Sequence, residues 1–408
     1  MNSTFLKKKF ADRYLNYFLI LVGIIFLLAE LKRVSDFGIF LQASKDLALG
    51  KDIYQIWYGV GFRYYYSPLF ALLLRPLTLL PPYLAASLWS VLSMILLIRT
   101  IALLHAYVPR IENRGRLNLL LVICTSALLY ANFHNNQMTA FLLWAIIECI
   151  EQFRKGRWIL GSFILALGIN IKLLPIVLVP YLVYRTKYKA AVLTILFMVI
   201  FWLVPAVFIG WDYNMKLLHS YWNYINPTLK QNVIDIDEPG LLSISSLVTT
   251  WFTDQFSINE LGYRRHFIVL PNQMIGYLIL LVRLCIIFFA LHFLKWPPFH
   301  KARSRTHELW ELSFLCLVTP LIFPHQQNYG FVLILPAVFY ILYSFKSDAS
   351  PARTWQKWLF VFSVLLINAG LLFGPYKFLF WNYKVLTYGV LMLGLIIAFL
   401  SPLKEKES

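Results

Sequence analysis

The sequence predicts an all-α protein that crosses a membrane many times. Hydrophobic residues make up 60% of its 408 positions and charged residues only 14%, which excludes an ordinary water-soluble globular protein. Runs of about 18 apolar residues, long enough to span a hydrocarbon core of about 30 Å as helices, recur along the chain. No soluble domain, low-complexity linker or internal repeat is evident, so we expect one membrane domain over residues 1–408.

About ten of the apolar runs are candidates for full spans, and several are short enough for their ends to shift by a few residues. They cover approximately residues 14–31, 82–104, 117–131, 137–153, 190–209, 271–294, 308–323, 326–344, 356–373 and 383–401. The first run is long enough to remain as a span, and we expect no cleaved signal peptide. Thiols inside such runs pack as small apolar groups, which is how we interpret Cys124, Cys149, Cys285 and Cys316.

The stretch 158–184 differs from the other runs because it is too long for one span and is interrupted. It contains Asn170, Lys172, Pro175 and Pro180, and basic residues flank both of its ends. We predict a broken hairpin of two short helices that enter and return on the same side, with Lys172 near the tip. Such backbone survives in a bilayer only where protein or a water-filled cavity covers its polar groups.

Basic residues in alternating loops set the predicted orientation, since positively charged loops stay in the cytoplasm. These clusters lie at residues 7–9, 110–116, 154–157, 185–189, 301–305, 346–357 and 404–406. Both termini are therefore expected in the cytoplasm. The net charge of +18 is largely a topology signal, so we expect contact with membrane lipids and no nucleic acid.

On this topology two long loops face outward, and long loops tend to be functional. The first covers residues 32–81 and the second about 210–270. In the first, a helix over 37–49 and an apolar stretch over 69–80, interrupted by an Arg-Pro pair, are suited to lie at the membrane interface. A short tilted span at 69–80 would instead invert every later loop, which the alternation of basic loops disfavours.

Short motifs spread over nearly the whole chain resemble one enzyme family. They are Ser35-Asp36-Phe37, Asp52-Ile53-Tyr54, Tyr65-Tyr66-Ser67-Pro68-Leu69-Phe70, Arg75-Pro76-Leu77, Leu88-Trp89, Asn135-Asn136-Gln137, Ile171-Lys172-Leu173-Leu174-Pro175 and Pro324-His325. Together they resemble the bacterial polyprenyl-phosphate-mannose-dependent α-1,2-mannosyltransferases of the GT-C superfamily. The family often has a Gly-Gln pair where this chain has Asn136-Gln137, and further His or Trp residues where it has Gln326-Gln327.

The resemblance implies a GT-C-type bundle of about ten full spans plus the broken hairpin, in a bacterial inner (plasma) membrane. Its active site is expected at the periplasmic or outer face. The implied reaction moves a hexose, mannose in the first place, from a polyprenyl-phosphate donor to a hydroxyl of a glycan or glycolipid. A direct displacement inverts the anomeric centre, unlike the two-carboxylate route of retaining hydrolases.

Asp36 is the candidate general base for this reaction. The phosphate leaves as a stable anion, so one positioned carboxylate that takes the acceptor proton is enough. From the residues alone, Asp36 is an equally good helix cap for 37–49, because Asp is a favoured N-cap residue. Asp46 and Asp52 are expected on solvated faces, with Asp52 as the alternative base.

Lys172, Arg63 and His325 are the candidates for binding the donor phosphate, because the departing anion needs fixed positive groups. An ionisable residue inside a membrane is costly and usually marks a functional position. Lys172 could instead snorkel or pair with a buried carboxylate. Arg63 equally fits an interfacial anchor, and His325 an ordinary polar turn residue.

Further substrate contacts are expected from Tyr65, Tyr66, Asn136, Gln137, Gln326 and Glu238. Acids of the long outer loop could hold acceptor hydroxyls or a cation; they are Asp235, Asp237 and Glu238. Its aromatic residues either stack on sugars or lie in the headgroup belt, which is the favoured interpretation; they are Trp211, Tyr213, Tyr221, Trp222 and Tyr224. No tight cluster of metal ligands is visible, so we expect no divalent metal and no cofactor.

Other functions compete with this hypothesis. Arabinose, glucose or galactose could replace mannose on the same type of donor. A secondary transporter is the main different class, because broken hairpins with a central charge also occur at transport sites. The absence of an internal repeat disfavours it. A non-catalytic membrane scaffold would need neither Asp36 nor Lys172.

Overall fold

The computed structural model of the chain describes residues 3–59, 62–109, 111, 113–226, 234, 240–254, 265–293, 299–346 and 353–402. Within these residues every regular element is a helix, apart from one isolated β-bridge between Tyr58 and Phe62. The prediction of a helical membrane protein is confirmed at this level.

The described α-helices follow the predicted apolar runs closely. In chain order they are α1 Ser3–Ala29, α2 Phe37–Ala48, α3 Pro68–Leu73, α4 Pro82–Tyr107, α5 Arg114–Cys124, α6 Ser126–His134, α7 Thr139–Arg154, α8 Trp158–Ile171, α9 Leu178–Tyr184, α10 Tyr188–Ile209, α11 Trp211–Ile225, α12 Ile244–Phe252, α13 Asn272–Phe293, α14 Arg305–Ile322, α15 Leu335–Ser344, α16 Thr354–Leu372, α17 Lys377–Asn382 and α18 Val385–Phe399. Short 3₁₀ helices lie at Arg75–Leu79, Leu174–Val177, Asn328–Ile334 and Gly374–Tyr376.

Local sequence signals explain several helix starts. The Ser67, Ser243 and Ser304 side chains each accept a hydrogen bond from the backbone amide three residues later. This arrangement satisfies one of the amides that a helix start leaves unpaired. Pro68 and Pro82 begin α3 and α4, where proline loses no hydrogen bond that the helix needs.

Four helices in the described part of the chain are long and apolar enough to cross a membrane. They are Pro82–Tyr107, Tyr188–Ile209, Asn272–His292 and Thr354–Leu372. The number rises to six if two bent pairs each form one span: α5 with α6, bent by 69°, and the segment Gly374–Asn382 with α18, bent by 71°. The larger number of about ten full spans stays a prediction.

The interruption predicted in 158–184 is present. α8 ends at Ile171, and Lys172 has extended backbone with φ −145° and ψ 133°. A 3₁₀ turn containing Pro175 and then α9 follow. The side chain of Lys172 is therefore carried on a non-helical break between two apolar helices.

The segment 32–81, called the first outer loop after its predicted orientation, folds against the helices around it. α2 buries one face, which includes Phe37, Phe40 and Leu41, and α3 is buried over most of its length. The expectation that Asp46 faces solvent is wrong: it is only 3% exposed, because it lies on the buried face of α2 and pairs with Lys51 at 2.8 Å.

The described part of the segment predicted as the second outer loop contains two helices. α11 and α12 lie within the predicted 210–270 segment, and α12 is buried from Ile244 to Thr250. Just before α12, the Leu242 amide donates to the Gln326 carbonyl at 2.7 Å. This bond joins the long loop to the turn that carries His325.

Candidate active site

A cavity of about 180 Å³ lies where the first outer loop meets the break after α8, the end of α11 and the turn after α14. Eight residues proposed from the sequence as site residues line it, although they come from segments up to 290 positions apart. They are Asp36, Arg63, Tyr65, Tyr66, Gln137, Lys172, His325 and Gln326. The fold thus brings residues from distant sequence motifs together in one site.

Asp36 lies at the N-cap position of α2, but its side chain makes no capping hydrogen bond. The carboxylate instead accepts a hydrogen bond of 2.5 Å from Gln137 Nε2. Ser35, the preceding residue, has a positive φ of 39°, which non-glycine residues seldom adopt. The side chain of Asp36 therefore faces the cavity rather than the helix start, and its interpretation as a simple helix cap is not supported.

Gln137 is held so that its amide nitrogen faces Asp36. Its Oε1 accepts from the Tyr66 hydroxyl at 3.1 Å, and its backbone carbonyl accepts from Trp89 Nε1 at 3.3 Å. Since Oε1 serves the tyrosine, Nε2 is the donor that remains for the carboxylate. Tyr66 and Gln137 therefore orient Asp36, in addition to lining the cavity.

Asn136 is not brought to the cavity wall. Its side chain is only 3% exposed and donates from Nδ2 to Ser90 Oγ at 2.8 Å. Its φ of 49° lies in the left-handed region, which asparagine tolerates better than most residues. Asn136 shapes the turn that presents Gln137.

The pKa of Asp36 is raised above its ordinary value, chiefly because burial disfavours the charged carboxylate. The hydrogen bond from Gln137 and the positive charge of Lys172 act in the opposite direction and lower it. The raised pKa brings the group closer to the range in which a carboxylate is an effective general base near neutral pH.

Lys172 places its ammonium in the cavity between two aromatic rings. Its Nζ lies 5.7 Å from the ring centre of Tyr66 and 5.6 Å from that of Tyr329, which are cation–π distances. Among the described residues, no carboxylate oxygen lies within 4.0 Å of it. The alternative in which Lys172 pairs with a buried carboxylate is therefore not supported.

Arg63 and Tyr65 belong to a second group of contacting aromatic and basic side chains at the same cavity. The Arg63 guanidinium lies 4.0 Å from the ring centre of Trp57 and 5.3 Å from that of Tyr224. The Tyr65 ring is tilted against those of Tyr224 and His325, with ring centres 4.9 Å and 6.0 Å apart. His325 itself has a positive φ of 55°.

Gln326 follows in the same turn and is only 3% exposed. Its Nε2 donates to the Pro324 carbonyl at 2.8 Å, while its Oε1 has no hydrogen-bond partner among the described residues. Gly330 leaves room for this side chain, because a Cβ at that position would lie 2.8 Å from Oε1. A buried acceptor of this kind on a cavity wall is suited to a ligand hydroxyl.

The remaining candidates from the long outer loop separate into four groups. Tyr221 and Tyr224 line the cavity, whereas Trp211 and Trp222 are exposed; their place in a headgroup belt stays a prediction. Tyr213 donates to the Lys51 carbonyl at 2.6 Å. The acids Asp235, Asp237 and Glu238 lie outside the described residues.

Asp52 is not part of the cavity wall. Its carboxylate accepts from Ser220 Oγ at 2.8 Å and from the Tyr54 amide at 3.1 Å. These contacts tie the first outer loop to α11. In the described ranges no three His, Cys, Asp or Glu side chains come close enough together to hold a metal ion.

Sequence reasoning missed Tyr329 and Phe62 as cavity residues. Tyr329 lies in a 3₁₀ helix inside an apolar run, so nothing in its neighbourhood distinguishes it from a core tyrosine. Phe62 adjoins the aromatic stretch 64–66, whose mixture of rings beside an arginine was the available signal.

Comparison with known proteins gives one match. Residues 64–324, more than half of the chain, match the family model described as Glycosyltransferase family 87. The matched range holds Tyr65, Tyr66, Gln137 and Lys172. No curated protein and no solved structure shows a significant match to the chain.

Proposed function

The chain belongs to glycosyltransferase family 87 and is a GT-C-like membrane glycosyltransferase, and from this premise we propose its reaction. It transfers a hexose, mannose in the first place, from a polyprenyl-phosphate donor to an acceptor hydroxyl, with inversion at the anomeric carbon. Asp36 is the general base. The observation that carries the proposal is the presence of the Asp36 carboxylate and the Lys172 ammonium in one cavity.

The proposed reaction forms one bond at the anomeric carbon, breaks one there and transfers one proton. The acceptor oxygen forms a bond to the anomeric carbon while the bond from that carbon to the phosphate oxygen breaks. The hydroxyl proton passes to the Asp36 carboxylate, and the polyprenyl phosphate departs with the bonding electrons. A positioned base of this kind contributes typically about 10²- to 10⁴-fold in rate.

Gln137 and Tyr66 support the base. Their hydrogen bonds hold the carboxylate in one orientation toward the cavity. Because the base must be ionised to accept a proton, the donor from Gln137 also keeps the raised pKa of Asp36 from rising further. Holding a catalytic group in the productive geometry is itself a large part of the rate gain.

Lys172 stabilises the negative charge that develops on the leaving phosphate. Its positive charge acts on Asp36 and lowers the pKa of that carboxylate. Lys172 lies on the non-helical break after α8, and no carboxylate of the described residues forms an ion pair with it. Its ammonium can therefore bind a phosphate. His325, on the same cavity, completes the phosphate site. A preorganised charge of this kind acts strongly in a site that excludes water.

The membrane setting follows from the same proposal. The chain forms about ten full spans plus the broken hairpin, with cytoplasmic termini and the cavity at the periplasmic or outer face of a bacterial plasma membrane. The lipid donor reaches the cavity sideways past α3 and the 3₁₀ helix Arg75–Leu79, which lie at the interface. Donors carrying arabinose, glucose or galactose are the alternative within the same mechanism.

The test is sugar transfer by the detergent-purified protein. Synthetic polyprenyl-phosphate-mannose is supplied first, then the glucose, galactose and arabinose donors, each against a panel of glycolipid acceptors and water. GDP-mannose is the matched donor without a lipid. Transfer from a lipid donor with inverted anomeric configuration, read by NMR, supports the proposal; transfer from GDP-mannose alone, or with retention, contradicts it.

A further inference from the structure

The cavity has an exposed aromatic rim beside its buried catalytic end. Tyr64 and Tyr66 turn into the protein and are at most 5% exposed, whereas Phe62 is 41% exposed and Tyr65 is 37% exposed. Trp57 is exposed nearby at 59%. Exposed aromatic side chains grouped at a cavity mouth mark a binding surface more often than isolated ones do.

Two aromatic rings hold Arg63 within this rim. The rings of Trp57 and Tyr224 contact the guanidinium, which holds it in place. Its buried Nε has no hydrogen-bond partner, and no carboxylate lies within 4.0 Å of it in the part of the chain that the structure describes. The guanidinium therefore presents N–H donors that a ligand oxygen can accept from.

The catalytic groups and this rim form two separately linked sets of side chains at the cavity. Asp36, Gln137, Tyr66, Lys172 and Tyr329 are linked to one another by hydrogen bonds and cation–π contacts. A second set, which we term the aromatic platform, is joined by cation–π and ring contacts and consists of Trp57, Arg63, Tyr224 and Tyr65. Two substrates must enter one cavity, and the structure offers two surfaces for them.

We propose that the aromatic platform is the acceptor subsite and that it binds a pyranose ring of a glycan acceptor. The apolar C–H face of the sugar lies against Tyr65, and Arg63 donates to oxygens of that sugar. The inference rests on the proposed function, since the acceptor hydroxyl has to reach Asp36 in the same cavity. It also separates Arg63 from Lys172, which the sequence alone grouped together at the donor phosphate.

A membrane anchor is the competing interpretation of the same residues. Aromatic and arginine side chains also gather at the membrane interface. An anchor, however, needs no cation held between two rings on a cavity wall. The two interpretations differ in what a substitution changes: sugar binding in one, stability in the membrane or detergent in the other.

Binding can be measured without turnover. Saturation-transfer difference NMR is run on the Asp36→Asn variant with methyl α-mannobioside, methyl maltoside and methyl lactoside as probes. We expect at least one probe to receive saturation, strongest on the protons of one ring face, and Tyr65→Ala in the same background to reduce that signal about tenfold. The matched control is Tyr376→Ala, an exposed tyrosine away from the cavity. Saturation of none of the three probes, or an equal loss in both variants, overturns the inference.

Kinetics separate the acceptor from the donor. Arg63→Gln and Tyr65→Ala are expected to raise the KM for the acceptor about tenfold while the KM for the donor changes much less. A rise confined to the donor KM would place Arg63 at the phosphate and overturn the inference. Failure of the proposed function looks different: the wild-type protein then transfers no sugar, while the NMR experiment still reports whether the platform binds one.

Discussion

Replacing Gln137 by leucine tests how the site controls its base. The change keeps the approximate size of the side chain but removes the Nε2 donor that lies 2.5 Å from the Asp36 carboxylate. A hydrogen bond to a charged group is worth about 1.5–3 kcal/mol, and the lower figure applies because Asp36 is only half-buried. Its loss makes ionisation of Asp36 less favourable and so raises the pKa of that carboxylate; since about 1.4 kcal/mol is a factor of ten in an equilibrium constant, the ionised fraction on the acidic side falls about tenfold.

The sign of the effect on activity follows from the role of the ionised carboxylate. Transfer requires deprotonated Asp36, so kcat/KM rises with pH through the pKa of that group and levels off above it. In Gln137→Leu the rise moves to higher pH, so activity falls about tenfold on the acidic side and recovers at alkaline pH. Tyr66→Phe removes the hydroxyl that donates to Gln137 Oε1 but leaves Gln137 in place. It should move the pH profile of kcat/KM to higher pH as well, by a smaller amount.

The assay is kcat/KM for transfer at intervals from about pH 5 to 9. Gln152→Leu is the matched control, because Gln152 donates to the Glu148 carboxylate at 2.6 Å outside the cavity. It should leave the profile in place. An unchanged acidic limb in Gln137→Leu, with the variant folded, would refute the reasoning that this hydrogen bond tunes Asp36.

Three further outcomes follow from other contacts. Lys172→Gln should lower kcat about 10²- to 10³-fold through loss of phosphate stabilisation, measured by single-turnover transfer; a loss below tenfold would contradict that role. Gly330→Ala should lower transfer with little change in thermal stability, because its Cβ displaces the end of the Gln326 side chain rather than backbone; a large fall in melting temperature with normal turnover would contradict this. Glu311→Ala should destabilise the protein by about 3–5 kcal/mol, because Arg185 is then left buried without its partner; an unchanged thermal unfolding midpoint would argue against it.

The helices were the most predictable part of this chain. The apolar runs located the helices, because a membrane helix needs a certain length and an apolar composition. Both can be read directly from the sequence. The predicted runs at 82–104, 190–209 and 356–373 match α4, α10 and α16 to within a few residues. The break at Lys172 was also visible, since a lysine and two prolines interrupt an otherwise apolar stretch.

Bends and side-chain directions were not predictable in the same way. The run 117–131 contains the 69° bend between α5 and α6 at Thr125, with no proline to announce it. Asp46 lies on α2 together with other polar residues, and it is buried because other parts of the protein pack against its side of the helix. Tertiary packing decides both, and a single sequence does not show it.

The candidate site was predicted as a set of residues but not as an arrangement. Eight of the proposed residues line one cavity. The partnership of Asp36 with Gln137 joins positions 101 apart, and the stack that separates Arg63 from Lys172 depends on Tyr224 of α11. Such long-range contacts give each residue its role, and no motif spacing encodes them.

The most direct test of the account is the single-turnover rate of sugar transfer by Asp36→Asn beside Asp52→Asn, with donor binding measured on both proteins. The account predicts that Asp36→Asn binds the polyprenyl-phosphate donor but transfers sugar about 10²- to 10⁴-fold more slowly, because the base is lost. Asp52→Asn, whose carboxylate lies off the cavity wall, should transfer at close to the wild-type rate. Full activity in Asp36→Asn, or a comparable loss only in Asp52→Asn, would contradict the assignment of Asp36 as the base.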